Sequence, residues 1–303
     1  MYFKDLDYLI ALAERGNFRE AAEACRVSQP TLSVQLARLE SELDALLIER
    51  GGRGAKLTPT GERAVPQAAR VLQEVRALRA ACTNAGGALE GAFHLGVIAT
   101  AGPYLLPRIL PAVGRSFPDA KLYLREDLTN DLVRRLLRGD LDAAILSLPV
   151  GDAAIMTAEL CSEPFFAIVP LRHPLARRKE IGPVELASAS MLLLEHGHCL
   201  RGQTTDYCHL HTRPSFDQAT SIESLKQMVA AGLGCAVIPA MATQGRYARM
   251  AGIKVVGLKA PAPQRTLALC WRKGYTRSAG CRELAEVMRA GLRIETRTKK
   301  TGR

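Results

Sequence analysis

Within FREAAEACRVSQPTLSVQLARLESEL, residues 18–43, two helical patterns stand so close that only a tight turn fits between them, and this spacing constrains the N-terminal fold more than any other feature. Phe18, Ala21, Ala22 and Cys25 recur at helical spacing, and the small side chains among them let a second helix approach closely. Arg26, Val27 and Ser28 form the turn. Ser28 is an N-cap residue for the next helix, Pro30 is tolerated in its first turn, and Leu32, Leu36, Leu39 and Leu43 are expected as its buried stripe. Upstream, Leu6, Leu9, Ile10 and Ala13 predict a helix of about three turns that Gly16 and Asn17 stop. The capped helix then presents Gln29, Thr31, Ser33, Gln35 and Arg38 outward, as a helix-turn-helix requires. Gln and Arg can read base edges, whereas Ser28, Thr31 and Ser33 hydroxyls beside a helix N-terminus that begins Gln29-Pro30 suit phosphate oxygens. After it, ERGGRGAKLTPTG carries glycine-rich turn chemistry between Ile48 and Leu57, compatible with a two-stranded wing whose Arg50 and Arg53 face a phosphate backbone. The competing reading is a plain helical bundle.

Bulk charge adds little to this. The chain has a formal net charge of +11, but residues 1–58 hold eight Lys/Arg against nine Asp/Glu. Part of the excess lies in RIETRTKKTGR, where residues from about 295 to 303 read as a solvated basic tail. Double-stranded DNA is therefore inferred as a partner from the motif, with positive charge as minor support.

These same segments, FREAAEACRVSQPTLSVQLARLESEL and LIERGGRGAKLTPTGE, resemble the winged helix-turn-helix of LysR-type transcriptional regulators. Asp44 and Ile48 stand where many members of that family carry Gly and Phe. Thr58 and Pro59 then mark a helix start, and Val65, Ala68, Leu72, Val75 and Cys82 follow spacings of three and four before Gly86 and Gly87. Arg79 interrupts the seam. Together with the resemblance, the stripe implies a linker helix over residues 59–90 that joins two copies, as a homodimer or homotetramer.

From Gly91 onward, strand candidates (FHLGVI, KLYLRE, DAAILSL, FFAIVP, MLLLE, CAVIP, LALCWR) alternate with helical patterns (LLPRILPAVGRSF, LVRRLLRG, IESLKQMVAAG), which argues for parallel α/β architecture. The family resemblance implies a two-lobed regulatory domain, like a periplasmic binding protein, over residues 91–303, with a cleft where strand ends meet helix starts. Thr100 ends the first strand and Thr129 opens a helix, so each is either a cleft residue or a helix cap. The uncharged stretch from Gln227 to Gly245 is broken by Gly232, Gly234 and Pro239 and reads as buried core, not a membrane span. Asp5 and Asp7 interrupt the position where an export signal would be apolar, so a cytoplasmic protein with no membrane partner is expected. Its eight cysteines then read as reduced thiols, and Cys235 and Cys270, in apolar runs, as packing residues.

The segment EHGHCLRGQTTDYC is the exception. Cys199 has His198 before it and Arg201 after it, and a nearby cation favours the thiolate, the form that attacks an oxidant. The resulting sulfenic acid can be captured by a second thiol such as Cys208, and an ordered segment between them would have to refold to let the bond close. GPYLLPRILP, GHCLR with its second cysteine, and ATSIESLKQMVAAGLG resemble peroxide-sensing members of the LysR family. That resemblance implies Cys199 as the cysteine attacked by hydrogen peroxide, Cys208 as its resolving partner, and Thr100, Thr129, His198 and, with them, Arg265 around the peroxide. It further implies gene activation with RNA polymerase, resetting by a cellular thiol reductant, and no cofactor. One rival is a zinc site among His196, His198, Cys199, Cys208, His209 and His211. Another is a cleft for a small organic effector with structural cysteines. An enzyme is disfavoured, because one oxidation per chain implies no turnover.

Overall fold

The computed structural model describes residues 1–49, 55–83, 89–208, 218–247 and 251–298. Two compact units divide the chain, Met1–Gly86 and Gly87–Arg303, each with its own hydrophobic core. Among the described residues no helix is long and apolar enough to cross a membrane.

In the first unit, α1 (Phe3–Arg15) ends where Gly16 adopts a left-handed φ of 64°. α2 (Phe18–Ala24) is capped by Asn17, whose side chain accepts from the Arg19 N–H. α3 (Gln29–Glu42) is capped by Ser28, whose Oγ accepts from the Thr31 N–H at 3.2 Å. The turn between α2 and α3 puts Arg26 at φ 56°. Leu32, Leu36 and Leu39 are fully buried, with Ala21, Ala22, Leu9 and Leu12 around them. Leu43 departs from the expected stripe: the helix stops at Glu42, so Leu43 turns outward and is 45% exposed.

The wing forms as β1 (Ile48–Glu49) and β2 (Lys56–Leu57), antiparallel, with Ile48 opposite Leu57. Arg50 and Arg53 lie outside the described residues. α4 (Pro59–Thr83) starts under a Thr58 hydroxyl that accepts from the Gly61 N–H and donates to the Leu46 carbonyl. Its apolar stripe is partly consumed inside the unit, because Ala68 and Leu72 are buried and Val65 packs against them. Among the described residues, the exposed large apolar side chains of α4 are Val71 and, one heptad on, Leu78, which is 65% exposed. The Arg79 and Cys82 side chains, and Gly86 and Gly87, lie outside the described set.

The second unit follows as β3 (Gly91–Ile98), α5 (Gly102–Ser116), β4 (Ala120–Asp127), α6 (Thr129–Arg138), β5 (Ala143–Ser147), β6 (Ile155–Pro170), β7 (Glu180–Ile181), α7 (Pro183–Ala187), β8 (Leu193–Leu194), α8 (Cys199–Cys208), β9 (Gln218–Ala219), α9 (Ile222–Ala230), β10 (Ala236–Pro239), β11 (Ile253–Leu258), β12 (Gln264–Arg272) and α10 (Ser278–Thr298). The parallel sheet expected from alternation holds only locally. β4, β3 and β5 are parallel, but β12 runs antiparallel to both β5 and β6, and β10 and β11 run antiparallel to β6. The cause is connectivity: the 16-residue β6 carries the chain from the first lobe, where residues 155–164 pair with β12, into the second, where residues 165–170 pair with β10 and β11. β12 brings it back, so each crossing strand opposes its neighbours. The stretch from Gln227 to Gly245 is split between α9, β10 and short turns, with Val229 and Ala236–Ile238 buried as expected. α10 continues to Thr298, so the first residues of the presumed tail are helical, since extending a formed helix needs no new nucleus. Residues 299–303 lie outside the described set.

Truncating Leu36 to Ala should destabilise the N-terminal unit by about 2 to 5 kcal/mol, the range for a fully buried leucine. Denaturant unfolding of the variant checks this.

Candidate functional site

On the first unit, Ser28, Gln29, Pro30, Thr31 and Arg38 are exposed, with Ser33 and Gln35 half-buried on the same helix. Arg38 is not a loose cation: its Nε donates to Glu42 at 3.0 Å and its guanidinium lies 4.6 Å from the Tyr2 ring centre. The Gln35 Oε1 is buried and has no protein hydrogen-bond partner. These residues supply a donor-rich, capped helix face of the kind that enters a major groove.

On the second unit, three parallel strands end side by side. Thr100 follows β3, Ser147 closes β5, and Thr129 opens α6 just after β4. Ligands of open α/β sheets bind beyond such carboxyl ends. Thr100 is buried and braced, since Arg265 donates through Nη1 to its hydroxyl at 3.0 Å and through Nη2 to its carbonyl at 3.1 Å. The Arg265 Nε donates to Glu163 Oε1 at 2.9 Å, and Glu163 Oε2 accepts from the Met241 N–H at 2.7 Å. Both ions of this pair are buried. The positive charge expected from Arg265 is thus compensated by Glu163, and the guanidinium acts as a brace for Thr100.

The cysteine-bearing segment lies against this strand edge. Gly197 adopts φ +98°, and a Cβ there would come within 2.8 Å of Leu128 Cδ1, so only glycine lets the backbone pass so near the start of α6. His198 and Cys199 follow immediately. Burial holds the His198 imidazole below the usual histidine range, against the opposing pull of Glu195 and of a hydrogen bond to the Thr220 backbone. Burial thus works against the cationic role expected of the ring. Arg201 is tied back, donating through Nη1 to the Leu194 carbonyl at 2.7 Å. Cys199 itself is the first residue of α8.

Cys199 and Cys208 are both free thiols at opposite ends of α8. Nine helical steps separate their Cα atoms by about 13 Å along the axis, whereas a disulfide needs less than about 7 Å. Cys199 is partly exposed, while Cys208 is buried and its thiol is pushed up to about 11 by desolvation. Leu200, Thr204 and Cys208 form the buried side of the helix. This separation also prevents Cys199 and Cys208 from sharing one zinc ion. His209 and His211 lie outside the described residues, and among the described residues no group of three or more His, Cys, Asp or Glu is placed to hold a metal.

Two further side chains, absent from the sequence expectations, complete the site. Gln203 sits one turn beyond Cys199 on α8, and its Nε2 donates to Ser147 Oγ at 3.2 Å. Gln203 Oε1 is buried without a protein partner, as is Thr129 Oγ1. Buried polar atoms are rarely left so. Two such atoms at one strand edge suit a small ligand that both donates and accepts hydrogen bonds. Ser147 had a recoverable signal, since it ends a buried strand beside Thr100, but nothing in the sequence pairs Glu163 with Arg265.

Comparison with known proteins agrees in both units. Residues 3–62 match the family described as bacterial regulatory helix-turn-helix protein, lysR family, and residues 86–293 match the LysR substrate binding domain. The chain is 39% identical over 303 residues to a hydrogen peroxide-inducible genes activator of Pectobacterium carotovorum, covering 99% of this chain and 100% of the relative. Among solved structures it is similar to a full-length OxyR variant from Pseudomonas aeruginosa, with 37% identity, a TM-score of 0.70 and coverage of 95% and 98% of the two chains. It is also similar to a peroxide-bound OxyR mutant from Corynebacterium glutamicum, with 30% identity, a TM-score of 0.64 and coverage of 97% and 94%.

Replacing Glu163 with Ala should strand the buried Arg265 guanidinium and cost about 3 to 5 kcal/mol. Urea unfolding of the full chain reads that loss, and a cost below about 1 kcal/mol, the scale of an exposed ion pair, would contradict the brace.

Proposed function

The chain belongs to the LysR family of bacterial regulatory helix-turn-helix proteins, and on that premise we propose that it is a hydrogen peroxide sensor that regulates transcription through a reversible Cys199–Cys208 disulfide. The observation that carries this reading is the placement of two free cysteines at the two ends of one helix, the first beside unpartnered buried polar atoms. The relatives named for peroxide induction support the choice of oxidant.

In the chemistry proposed, hydrogen peroxide sits against Thr129, Gln203 and the Arg265-braced Thr100, with the His198 ring alongside. The Cys199 thiolate attacks one peroxide oxygen, an S–O bond forms, the O–O bond breaks, and hydroxide leaves. The sulfenic acid then accepts attack by the Cys208 sulfur, and water departs as the S–S bond forms. Closing that bond requires α8 to unwind, because its own rise keeps the sulfurs apart. Unwinding also breaks the Gln203–Ser147 and Arg201–Leu194 hydrogen bonds, so closure of the disulfide and reshaping of the regulatory domain are one event. A cellular dithiol or glutathione resets the switch by two-electron reduction.

At promoter DNA, Ser28, Thr31 and Ser33 serve the phosphates, with Pro30 fixing the first turn, while Gln29, Gln35 and Arg38 face base edges and Arg50 and Arg53 serve the backbone from the wing. Two copies join through α4, where Val71 and Leu78 offer an apolar seam one heptad apart. A cytoplasmic homodimer or homotetramer that activates antioxidant genes with RNA polymerase is the assembly this implies.

One equivalent of hydrogen peroxide should lower the intact mass of the reduced chain by about two hydrogens, mapped to the peptides of Cys199 and Cys208. Cys199→Ser should abolish both that change and the shift in DNA footprint. A footprint that ignores peroxide but moves with a metabolite would instead favour an organic effector. Before oxidation, Cys208 should resist iodoacetamide at pH 8, because a buried thiol held up to about 11 is protonated there. Leu78→Asp should dissociate the oligomer, as read by analytical ultracentrifugation.

A further inference from the structure

Beyond the peroxide site, the second unit holds an ionic cluster with no part in the chemistry above, in which a buried lysine meets a half-exposed carboxylate. Lys226 of α9 is 1% exposed, and its Nζ donates to Glu223 Oε1 at 2.8 Å. The same carboxylate oxygen accepts from the Tyr104 hydroxyl of α5 at 2.5 Å. The ammonium also lies 5.2 Å from the Tyr104 ring centre and 5.4 Å from that of Tyr247, and the two rings meet edge to face at 4.7 Å. Tyr247 donates to the Pro103 carbonyl at 2.9 Å, and Arg108 donates to Gln244 at 3.0 Å. A buried lysine is costly unless paired, and desolvation does lower the Lys226 pKa.

The position of this cluster is informative. Tyr104 lies in the first turn of α5, the helix of the first lobe that Thr100 leads into. Glu223 lies in the first turn of α9, the helix of the second lobe that Thr220 leads into. Thr220 supplies the backbone group to which His198 hydrogen-bonds. The Tyr104–Glu223 bond therefore joins two helix starts, one led into by Thr100 and the other by Thr220, to whose backbone His198 is hydrogen-bonded.

We propose that Glu223 is a positioning residue for the sensing reaction: through the Tyr104 hydroxyl it fixes the spacing between the Thr100 wall and the Cys199 wall. This rests on the peroxide reading given above. Lys226 holds the carboxylate in place and contributes no contact to the site. A misplacement of about 1 Å is enough to slow a positioned reaction by up to about a hundredfold, whereas a reagent that needs only an accessible sulfur is indifferent to the far wall.

The test uses the full-length chain carrying Cys208→Ser, so that only the first oxidation is seen, and compares Cys199 reaction rates with hydrogen peroxide and with iodoacetamide. Tyr104→Phe removes one hydroxyl and keeps both ring contacts, so it is the variant least exposed to misfolding. It should slow peroxide about ten- to a hundredfold and leave the iodoacetamide rate within about twofold, the scatter set by comparable access to the same sulfur. Glu223→Leu should match it, Glu223→Gln should retain the peroxide rate because its amide oxygen still accepts from Tyr104, and Tyr104→Phe with Glu223→Leu should be no slower than either alone. Equal slowing of both reagents, an unchanged peroxide rate in Tyr104→Phe, or additive losses would overturn the role of Glu223. A parent chain that itself ignores peroxide removes the sensing reading and this role with it, whereas a reactive parent with unaffected variants overturns this role alone.

Discussion

The regulatory unit is organised around one buried ion pair. Arg265 on β12 and Glu163 on β6 meet where the two crossing strands pass between lobes, and each is almost completely removed from water. Such a pair gains little over well-packed apolar side chains, but once present it tolerates no loosening, because either ion alone would be stranded in a low-dielectric interior. Both partners also reach outward, Arg265 to Thr100 at the end of β3 and Glu163 to the backbone at Met241. One electrostatic contact thus holds the strand edge, both crossing strands and part of the second lobe in fixed register.

Against that rigid frame, α8 is weakly committed. Its glycine at 202, its tie of Gln203 to Ser147 and its Arg201 bond to the Leu194 carbonyl are modest contributions, each of which a new covalent bond can outweigh. Under the chemistry proposed, a small reagent would act on a domain whose walls are braced and whose sulfur-bearing element is the part that yields. A switch needs a part that can change its packing and a surrounding part that cannot.

How much of this was legible in the chain follows from sequence separation. The helix-turn-helix could be read because its cap, turn and leucine stripe are local, and it failed at Leu43, where the pattern continued past the helix that carried it. Cys199 and Cys208 could be placed on one ordered segment because only nine positions separate them. The brace could not, since Arg265 reaches Glu163 across 102 residues and Thr100 across 165. Tyr104 and Glu223 are 119 apart. Antiparallel pairing of β6 with β12 sets those meetings, and no periodicity in either strand specifies its register with the other. The desolvation of His198 was hidden for a related reason, because burial is a property of the folded surroundings and not of the neighbouring letters. Likewise the α4 stripe looked like a single seam, when its first half is spent on the unit's own core.

The burial of Cys208 has a consequence for timing. A sulfur enclosed behind an intact helix meets its partner only as often as that helix opens, so under the chemistry proposed here the first oxidation and the lasting structural change are separated by a conformational delay. A pulse of oxidant that ends sooner leaves a lone oxidised sulfur, open to repair by small thiols before any promoter registers it. The molecule would then respond to sustained exposure and discard brief fluctuations, as an electrical low-pass filter does, with the opening rate of one short helix as its time constant.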